Sequence, residues 1–378
     1  MRLNLHTSLP PHSDRAWSIA VHPTLPLLAS ASSDRTSRVS SLLTYTPLST
    51  LDGGHKRSIR TLAWQPNPSP SAQSSTLATG SFDATAGIWH RASSTSESTD
   101  WDFVVVLDGH ENEIKSVAWS AGGNYLATCS RDKTVWVWEE LGEDNFETVA
   151  VLQEHTQDVK CVAWHPSELL LASGSYDDTI RLWREDVDDW VCCCVLEGHE
   201  STVWCVQFEK KQREGGGEDA RLVSCSDDGT VRVWRRTGRT GEQVRAVPSI
   251  LRGRQIEETW VLESVLPKVH TRAVYSVSWS GVSGRIVSCG GDGRIVVYEE
   301  VPRTGKEGGE QKAEGEEEEE EVKTEWRVVA DFEGAHGVYE VNCVAWSKRW
   351  DKDRRSDDEE IIVSCGDDGA VNVWELVE

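Results

Sequence analysis

The sequence predicts an all-β protein, a seven-bladed β-propeller that takes in residues 1–378 as one domain. The first observation is an internal repeat, since LDGHENEIKSVAWSAGGNYLATCSRDKTVWVW (107–138) and LQEHTQDVKCVAWHPSELLLASGSYDDTIRLW (152–183) match almost position for position. The second is that this pattern recurs seven times, each time with room for four short strands. Because one such unit cannot bury its own apolar face, a closed ring of stacked units is favoured.

Each repeat carries similar polar and aromatic residues at matching places. A His precedes the first strand (a), a Ser or Thr lies in the second (b), an Asp follows in the b–c turn, and a Trp lies in the third strand (c). We expect a buried hydrogen-bond relay through these four residues, which is favourable only when every member is satisfied. The clearest sets are His110, Thr128, Asp132 and Trp138, and His155, Ser173, Asp177 and Trp183.

Two repeats depart from the relay, because Ser40 replaces the Trp in the first and Tyr298 replaces it in the sixth. Blade 1 is therefore expected to be the least well locked. These residues, and a repeat of about 40–45 residues, are typical of WD40 propellers. The seventh repeat stops after strand c, whereas LNLHTSL near the start of the chain aligns with a fourth strand (d). Residues 3–9 are thus predicted to complete blade 7 and close the ring.

The long variable segments follow strand a or strand c. Successive connections alternate between the two ends of a propeller, so all insertions are expected at one end, which we call the bottom. The top, formed by the d–a and b–c connections, stays compact. The segment 301–325 contains six consecutive glutamates, Glu316–Glu321. It is predicted to be a disordered bottom-face loop, either a solvated spacer or an acidic docking segment.

Charge and motifs argue against several classes of function. The chain has 63 acidic and 39 basic side chains and a formal net charge of -24. Nucleic-acid binding needs a surplus of Lys and Arg, and anionic membranes would repel the chain. No apolar run is long enough to span a membrane and no signal peptide is seen, so a soluble intracellular protein is expected. No nucleophile elbow, P-loop or HExxH motif is present, which argues against an enzyme.

The ten cysteines predict packing rather than a metal or cofactor site, since no CxxC pair occurs. One slot, three residues before the turn Asp, holds a Cys in four repeats and Ala or Gly in the others. Its cysteines are Cys129, Cys225, Cys289 and Cys365. In a regular strand Cys192 and Cys194 would share one face. The sequence leaves open whether they are packed or form a surface thiol pair.

The top face carries the candidate partner-binding residues, which come just before the turn Asp or at the start of strand a. They are Trp17, Arg60, Phe82, Lys115, Arg131, Lys160, Tyr176, Trp204 and Tyr275. Aromatic and Arg side chains are the usual binding hot spots. A basic-aromatic patch on an acidic protein suits an acidic segment or a C-terminal carboxylate. The alternative is that these are ordinary exposed turn residues.

Longer segments resemble one WD40 family. The two repeats quoted above, together with DDWVCCCVLEGHESTVW, GSFDAT and HGVYEVNCVAW, are similar to the cytosolic iron–sulfur protein assembly (CIA) family. The resemblance spans all seven blades. The chain departs from the family mainly in the bottom insertions and in the weak third strand of blade 1, TSRVS.

This resemblance implies a non-catalytic scaffold that acts late in cytosolic and nuclear iron–sulfur protein maturation. Such a protein belongs to a targeting complex with a small acidic adaptor and a large helical-repeat scaffold. It contacts a hydrogenase-like cluster carrier and client apoproteins, and it does not itself hold the cluster. The family has an important exposed arginine in the SRDK turn, which is Arg131 in this sequence.

Two other binding roles are compatible with a propeller. A WD40 substrate receptor of a ubiquitin ligase often has Asp after the strand-c Trp. Here that Trp is followed by His90, Glu139, Arg184, Arg235 or Glu375. A chromatin-associated peptide reader would need an acidic top face for a basic tail, whereas the candidates of blades 1–4 are basic or aromatic.

Overall fold

The computed structural model describes residues 1–66, 75–91, 101–142, 144–186, 189–210, 220–240, 256–303 and 324–377. Within these ranges all regular structure is β-strand, and 28 strands form seven four-stranded antiparallel sheets. The described part of the chain holds no helix that could cross a membrane. The prediction of an all-β, seven-bladed propeller is confirmed.

Six blades consist of consecutive strands in the order a-b-c-d. Blade 1 contains β2 (Ala16–Val21), β3 (Leu27–Ser32), β4 (Ser37–Ser41) and β5 (Pro47–Leu51). Blade 2 contains β6 (Ile59–Trp64), β7 (Ser75–Ser81), β8 (Thr85–Arg91) and β9 (Asp102–Asp108). Blade 3 contains β10 (Ile114–Trp119), β11 (Tyr125–Ser130), β12 (Val135–Gly142) and β13 (Asn145–Leu152).

The later blades follow the same plan. Blade 4 contains β14 (Val159–Trp164), β15 (Leu170–Ser175), β16 (Ile180–Asp186) and β17 (Asp189–Leu196). Blade 5 contains β18 (Val203–Phe208), β19 (Arg221–Ser226), β20 (Val231–Thr240) and β21 (Glu257–Val265). Blade 6 contains β22 (Val274–Trp279), β23 (Ile286–Gly290), β24 (Ile295–Pro302) and β25 (Thr324–Phe332). Blade 7 contains β26 (Val341–Lys348), β27 (Glu360–Gly366), β28 (Val371–Val377) and β1 (Arg2–Leu9).

The ring closes where β1 becomes the outer strand of blade 7, as predicted from residues 3–9. It runs antiparallel to β28, from the pair Arg2 and Val377 to the pair Leu9 and Val371, with a bulge between Leu5 and Thr7. Leu3 is buried against blade 6 and Leu9 against blade 1. The strand therefore contributes apolar packing on both faces of blade 7 as well as backbone hydrogen bonds.

The core consists of seven apolar clusters, each between two neighbouring blades. The a strands of adjacent blades pack against each other around the whole ring, including β26 against β2. Strand b is buried at every position in blades 1 and 4, where its sequences are LLASAS and LLASGS. Small residues suit this strand because neighbouring blades approach closely near the axis.

The connections sort by face as predicted. The top connections, d–a and b–c, have at most eight residues, as between Val265 and Val274. All longer connections follow strand a or strand c. The predicted disorder of the acidic loop 301–325 stays a prediction, because residues 304–323 lie outside the described ranges.

The four slot cysteines are fully buried in clusters between blades, which confirms their packing role. The expectation that Cys192 and Cys194 share a face is wrong. A bulge at Cys193 pairs Trp183 with Cys192 but Leu182 with Cys194. Cys192 therefore packs towards blade 3 and Cys194 towards blade 5.

Candidate functional site

The relay has the predicted connections in blades 3 and 4. His110 Nδ1 donates to Asp132 Oδ2 at 2.8 Å, the Thr128 hydroxyl bonds His110 Nε2 at 2.8 Å, and Trp138 Nε1 donates to that hydroxyl at 3.0 Å. In blade 4 the three corresponding distances are all 2.8 Å. Each relay ties the d–a connection, the b–c turn, strand b and strand c of one blade together.

The relay also sets the charge of its Asp. Burial alone would raise the pKa of Asp132, but hydrogen bonds from His110 and Thr134 lower it to about 2. Thr134, whose hydroxyl lies 2.6 Å from Asp132 Oδ1, was missed by sequence reasoning. The sequence signal for it is a Thr two residues after the turn Asp, which also occurs as Thr179 in blade 4.

The two departing blades differ from each other. In blade 6 the chain of bonds runs from Asp292 through His270 to Ser288, and the buried Tyr298 replaces the Trp beside Ser288. In blade 1 the chain of bonds runs from Asp34 through His12 to Ser30 and stops there. Blade 1 therefore lacks the last hydrogen bond of the relay. Its lower stability stays a prediction.

All nine partner-binding candidates lie at the top end of the ring. Each b–c turn is hydrogen-bonded to the d–a connection of its own blade: the N–H of Arg131 donates to the carbonyl of Glu113 at 3.0 Å, and that of Tyr176 to Asp158 at 2.8 Å. We call these nine residues the cation–aromatic surface: Trp17, Arg60, Phe82, Lys115, Arg131, Lys160, Tyr176, Trp204 and Tyr275.

Arg60 and Trp17 form its first contact. The guanidinium carbon of Arg60 lies 4.7 Å from the centre of the Trp17 ring, and Arg60 Nη1 donates to the Trp17 carbonyl at 3.2 Å. Trp17 is held in turn by Ser33, whose hydroxyl accepts from Trp17 Nε1 at 2.7 Å. Burial lowers the pKa of Arg60. Among the described residues, no carboxylate lies within ion-pair distance of this cation.

The carboxylate of Glu113 lies close to three cationic side chains of blades 2 and 3. It accepts from Lys115 Nζ at 2.6 Å, and Lys115 Nζ lies 4.6 Å from the centre of the Phe82 ring. Arg57 and Arg131 approach the same carboxylate at 3.7 and 4.0 Å. The side chain of Arg131 is 56% exposed, so it presents its charge to solvent while Lys115 stays half-buried.

Lys160 lies between two aromatic rings. Its Nζ is 5.2 Å from the centre of the Tyr176 ring and 5.3 Å from that of Trp204, and it donates to Asp158 Oδ2 at 3.1 Å. Asp158, like Glu113, comes two residues before its Lys. Sequence reasoning missed both carboxylates, which hold the two lysines over their rings before any ligand arrives.

Beyond Trp204 the top face turns acidic. Tyr275 packs edge-on to Trp204 with ring centres 5.4 Å apart, and its hydroxyl donates to Glu340 at 3.1 Å. Burial and Glu340 raise the pKa of Tyr275 to about 12. Asp227 and Asp367 occupy the positions before the turn Asp in blades 5 and 7. The top face thus carries its cations over aromatic rings in blades 1–4, whereas blades 5–7 carry Asp227, Glu340 and Asp367 together with Tyr275 and the exposed Arg272.

One residue of the bottom face bears on the alternative role as a substrate receptor of a ubiquitin ligase. Arg184, which follows the strand-c Trp of blade 4, is buried and pairs with Glu168 and with Glu258, the latter at 2.5 Å. Such an Arg is not available to a partner protein. Within the described ranges, no three His, Cys, Asp or Glu residues are placed to hold a metal ion.

Comparison with known proteins identifies the repeats. The model of the WD domain, G-beta repeat, matches residues 3–39, 45–90, 101–139, 146–184, 190–235, 261–299 and 326–375. Two fungal proteins are similar over nearly their whole length, and both are named probable cytosolic iron-sulfur protein assembly protein 1. That of Penicillium rubens is 47% identical over 97% of this chain and 96% of the relative. That of Phaeosphaeria nodorum is 48% identical over 99% and 96%. The chain therefore belongs to the WD-repeat family of cytosolic iron-sulfur protein assembly protein 1.

Proposed function

We propose that the protein is a non-catalytic scaffold of cytosolic iron–sulfur protein assembly. Near-full-length similarity to relatives that carry this name is the observation that carries the proposal. A propeller of this type exposes short turns on a rigid ring, which suits protein binding. The scattered, buried slot cysteines fit a component that brings other proteins together rather than one that holds the cluster.

The cation–aromatic surface is the proposed contact for a protein partner. Arg131 is exposed and touches Glu113 only at 4.0 Å, so a partner carboxylate can engage it at little cost. Tyr176 is half exposed beside it on blade 4. Charge-assisted bonds to Arg and contact with an aromatic side chain are the features that bind an acidic segment or a chain-terminal carboxylate.

The partners proposed by family resemblance are a small acidic adaptor, a large helical-repeat scaffold, a hydrogenase-like cluster carrier and client apoproteins. A cytosolic role agrees with the relatives' name. We extend the proposal to the nucleus, because nuclear iron–sulfur proteins need the same maturation. No nucleic acid or membrane partner is proposed for a chain of net charge -24.

The test is affinity purification of the wild-type chain and of Arg131→Glu. The wild type is expected to recover assembly proteins and iron–sulfur apoproteins, and Arg131→Glu is expected to lose them at least about tenfold, the effect of roughly 1.4 kcal/mol. The matched control is Arg327→Glu, which changes an equally exposed Arg in the outer strand of blade 6.

The control should recover partners like the wild type, and all three proteins should melt alike. Recovery of ubiquitin-ligase subunits or histones in place of assembly proteins would overturn the proposed function. Equal recovery by Arg131→Glu would overturn the assigned surface.

A further inference from the structure

Two pairs of cysteines lie directly opposite each other in the inner strands of blades 5 and 7. In blade 7 the register places Cys343 of β26 against Cys365 of β27, and in blade 5 it places Cys205 against Cys225. The sequence did not reveal these pairs, because their members are about 20 residues apart. The slot cysteine of each pair is fully buried, whereas its partner is partly exposed and packs at the edge of the same apolar cluster.

The geometry of the blade 7 pair permits a disulfide. Directly opposed residues of antiparallel strands have Cα atoms about 4.5 or 5.5 Å apart, and disulfides span Cα separations of roughly 4.4–6.8 Å. Both cysteines also pack in the same apolar cluster between blades 7 and 1. The described cysteines are all free thiols.

The two thiols differ in access and in acidity. Cys343 is partly exposed on the innermost strand, whereas Cys365 is fully buried. Interaction with the neighbouring Cys365 thiol lowers the pKa of Cys343 to about 6, with help from the Ser276 hydroxyl 3.7 Å away and from Arg60. Burial raises the pKa of Cys365. Cys343 is thus the more accessible and the more acidic of the two thiols.

We propose that Cys343 and Cys365 form a reversible oxidation site that peroxides convert to a disulfide. The Cys343 sulfur attacks a peroxide oxygen, the O–O bond breaks, and a sulfenic acid and hydroxide form. Cys365 then attacks the Cys343 sulfur, the S–O bond breaks, and the S–S bond forms. The hydroxide from each step takes up a proton and leaves as water, so two thiols lose two electrons and hydrogen peroxide becomes two waters.

The chain contains its own controls. Blades 3 and 6 place Ser116 opposite Cys129 and Ser276 opposite Cys289, so these slot cysteines have no thiol to pair with across the strand. The same arrangement shows that the fold accepts a Ser opposite a buried Cys. Cys343→Ser is therefore expected to fold and to abolish the disulfide.

The experiment treats the purified, reduced full chain with hydrogen peroxide, blocks remaining thiols with an alkylating reagent and maps cysteine peptides by mass spectrometry. A peptide pair linked through Cys343 and Cys365 is expected, reversed by a dithiol reductant, while Cys129 and Cys289 stay alkylated. The rate should change less than about twofold from pH 7 to 8, whereas an ordinary thiol of pKa near 8.5 would react about eightfold faster.

A second variant tests the intermediate. Cys365→Ser removes the second thiol, so a cyclic dione that traps sulfenic acids should label Cys343. The proposal is overturned if Cys343 is still a free thiol in the wild type when Cys192 and Cys194 are already oxidised. It is also overturned if Cys343 oxidises without linking to Cys365.

Discussion

Blades 3 and 4 differ from blades 7 and 1, where the ring closes. Blades 3 and 4 are each built from one stretch of chain and hold complete relays that end on a Trp. Blade 7 takes its outer strand from the other end of the chain, and blade 1 has Ser40 where the Trp would be. The first region is locked within each blade, and the second depends on contacts between distant segments.

Blade 7 has its own relay, in which Trp374 Nε1 donates to Ser364 at 2.9 Å, so of the two closing blades only blade 1 lacks the Trp. A buried ion network joins these two blades. Arg349 pairs with Asp351 at 3.0 Å and with Glu375 at 2.8 Å, and it is almost completely buried. Tyr45 of blade 1 donates to the same Asp351 at 2.5 Å, and His6 of β1 lies 2.8 Å from Glu375. The seam is thus held by residues from blade 1, β1 and the rest of blade 7.

The largest expected effect comes from removing the closing strand. Deletion of residues 1–11 removes β1 and the buried Leu3 and Leu9. Each of these two side chains contributes about 2–5 kcal/mol to the free energy of unfolding. We expect the melting temperature, followed by circular dichroism, to fall by more than about 10 °C. Leu3→Ala should be clearly destabilising and Leu5→Ala, at a half-exposed position of the same strand, nearly neutral. An unchanged melting temperature after the deletion would refute closure by β1.

The next effect compares the same position in the two regions. Trp183→Ala in blade 4 should lower the free energy of unfolding by about 3–5 kcal/mol, because it leaves a large cavity and removes the hydrogen bond from Trp183 Nε1 to the Ser173 hydroxyl. Ser40→Ala in blade 1 should change it by less than about 1 kcal/mol. Urea unfolding measures both. Similar losses would show that the relay Trp is not what distinguishes the blades.

The two regions should differ least in how much the turn Asp stabilises the fold, because both contain this residue. Asp34 in blade 1 and Asp132 in blade 3 each have a pKa lowered to about 2, so they favour the folded state above the unfolded pKa near 3.9. Burial also lowers the pKa of His12 and His199, which are neutral in the fold and must charge in acid.

The free energy of unfolding should therefore begin to fall below about pH 6.5 and fall more steeply from pH 4 towards pH 2. Asp34→Asn and Asp132→Asn should each cost about 2 kcal/mol at pH 7 and nearly nothing at pH 2. Unfolding followed by fluorescence at several pH values measures this. A much smaller cost for Asp34→Asn would mean that blade 1 lacks more than its Trp.

The fold could be predicted from the sequence because the same His, hydroxyl, Asp and Trp recur at matching places in the repeats. The position of β1 could be predicted because its sequence resembles the other d strands. The sequence could not reveal features that depend on irregular geometry or on distant segments. Cys192 and Cys194 face opposite ways because of a bulge that a two-residue period cannot show. The pairing of Arg184 with Glu258 joins positions in different blades. The role of the cation–aromatic surface in binding stays a prediction.

The closing strand also has a consequence for biosynthesis. β1 is made long before its partner β28, since Arg2 pairs with Val377. At about 5–20 residues per second, the ribosome leaves β1 unpaired for roughly 20–75 s. Throughout that time an eight-residue strand has no edge to join, which exposes it to pairing with other nascent chains. Synthesis of β28, rather than completion of the blades before it, is therefore the step that ends this exposure of β1.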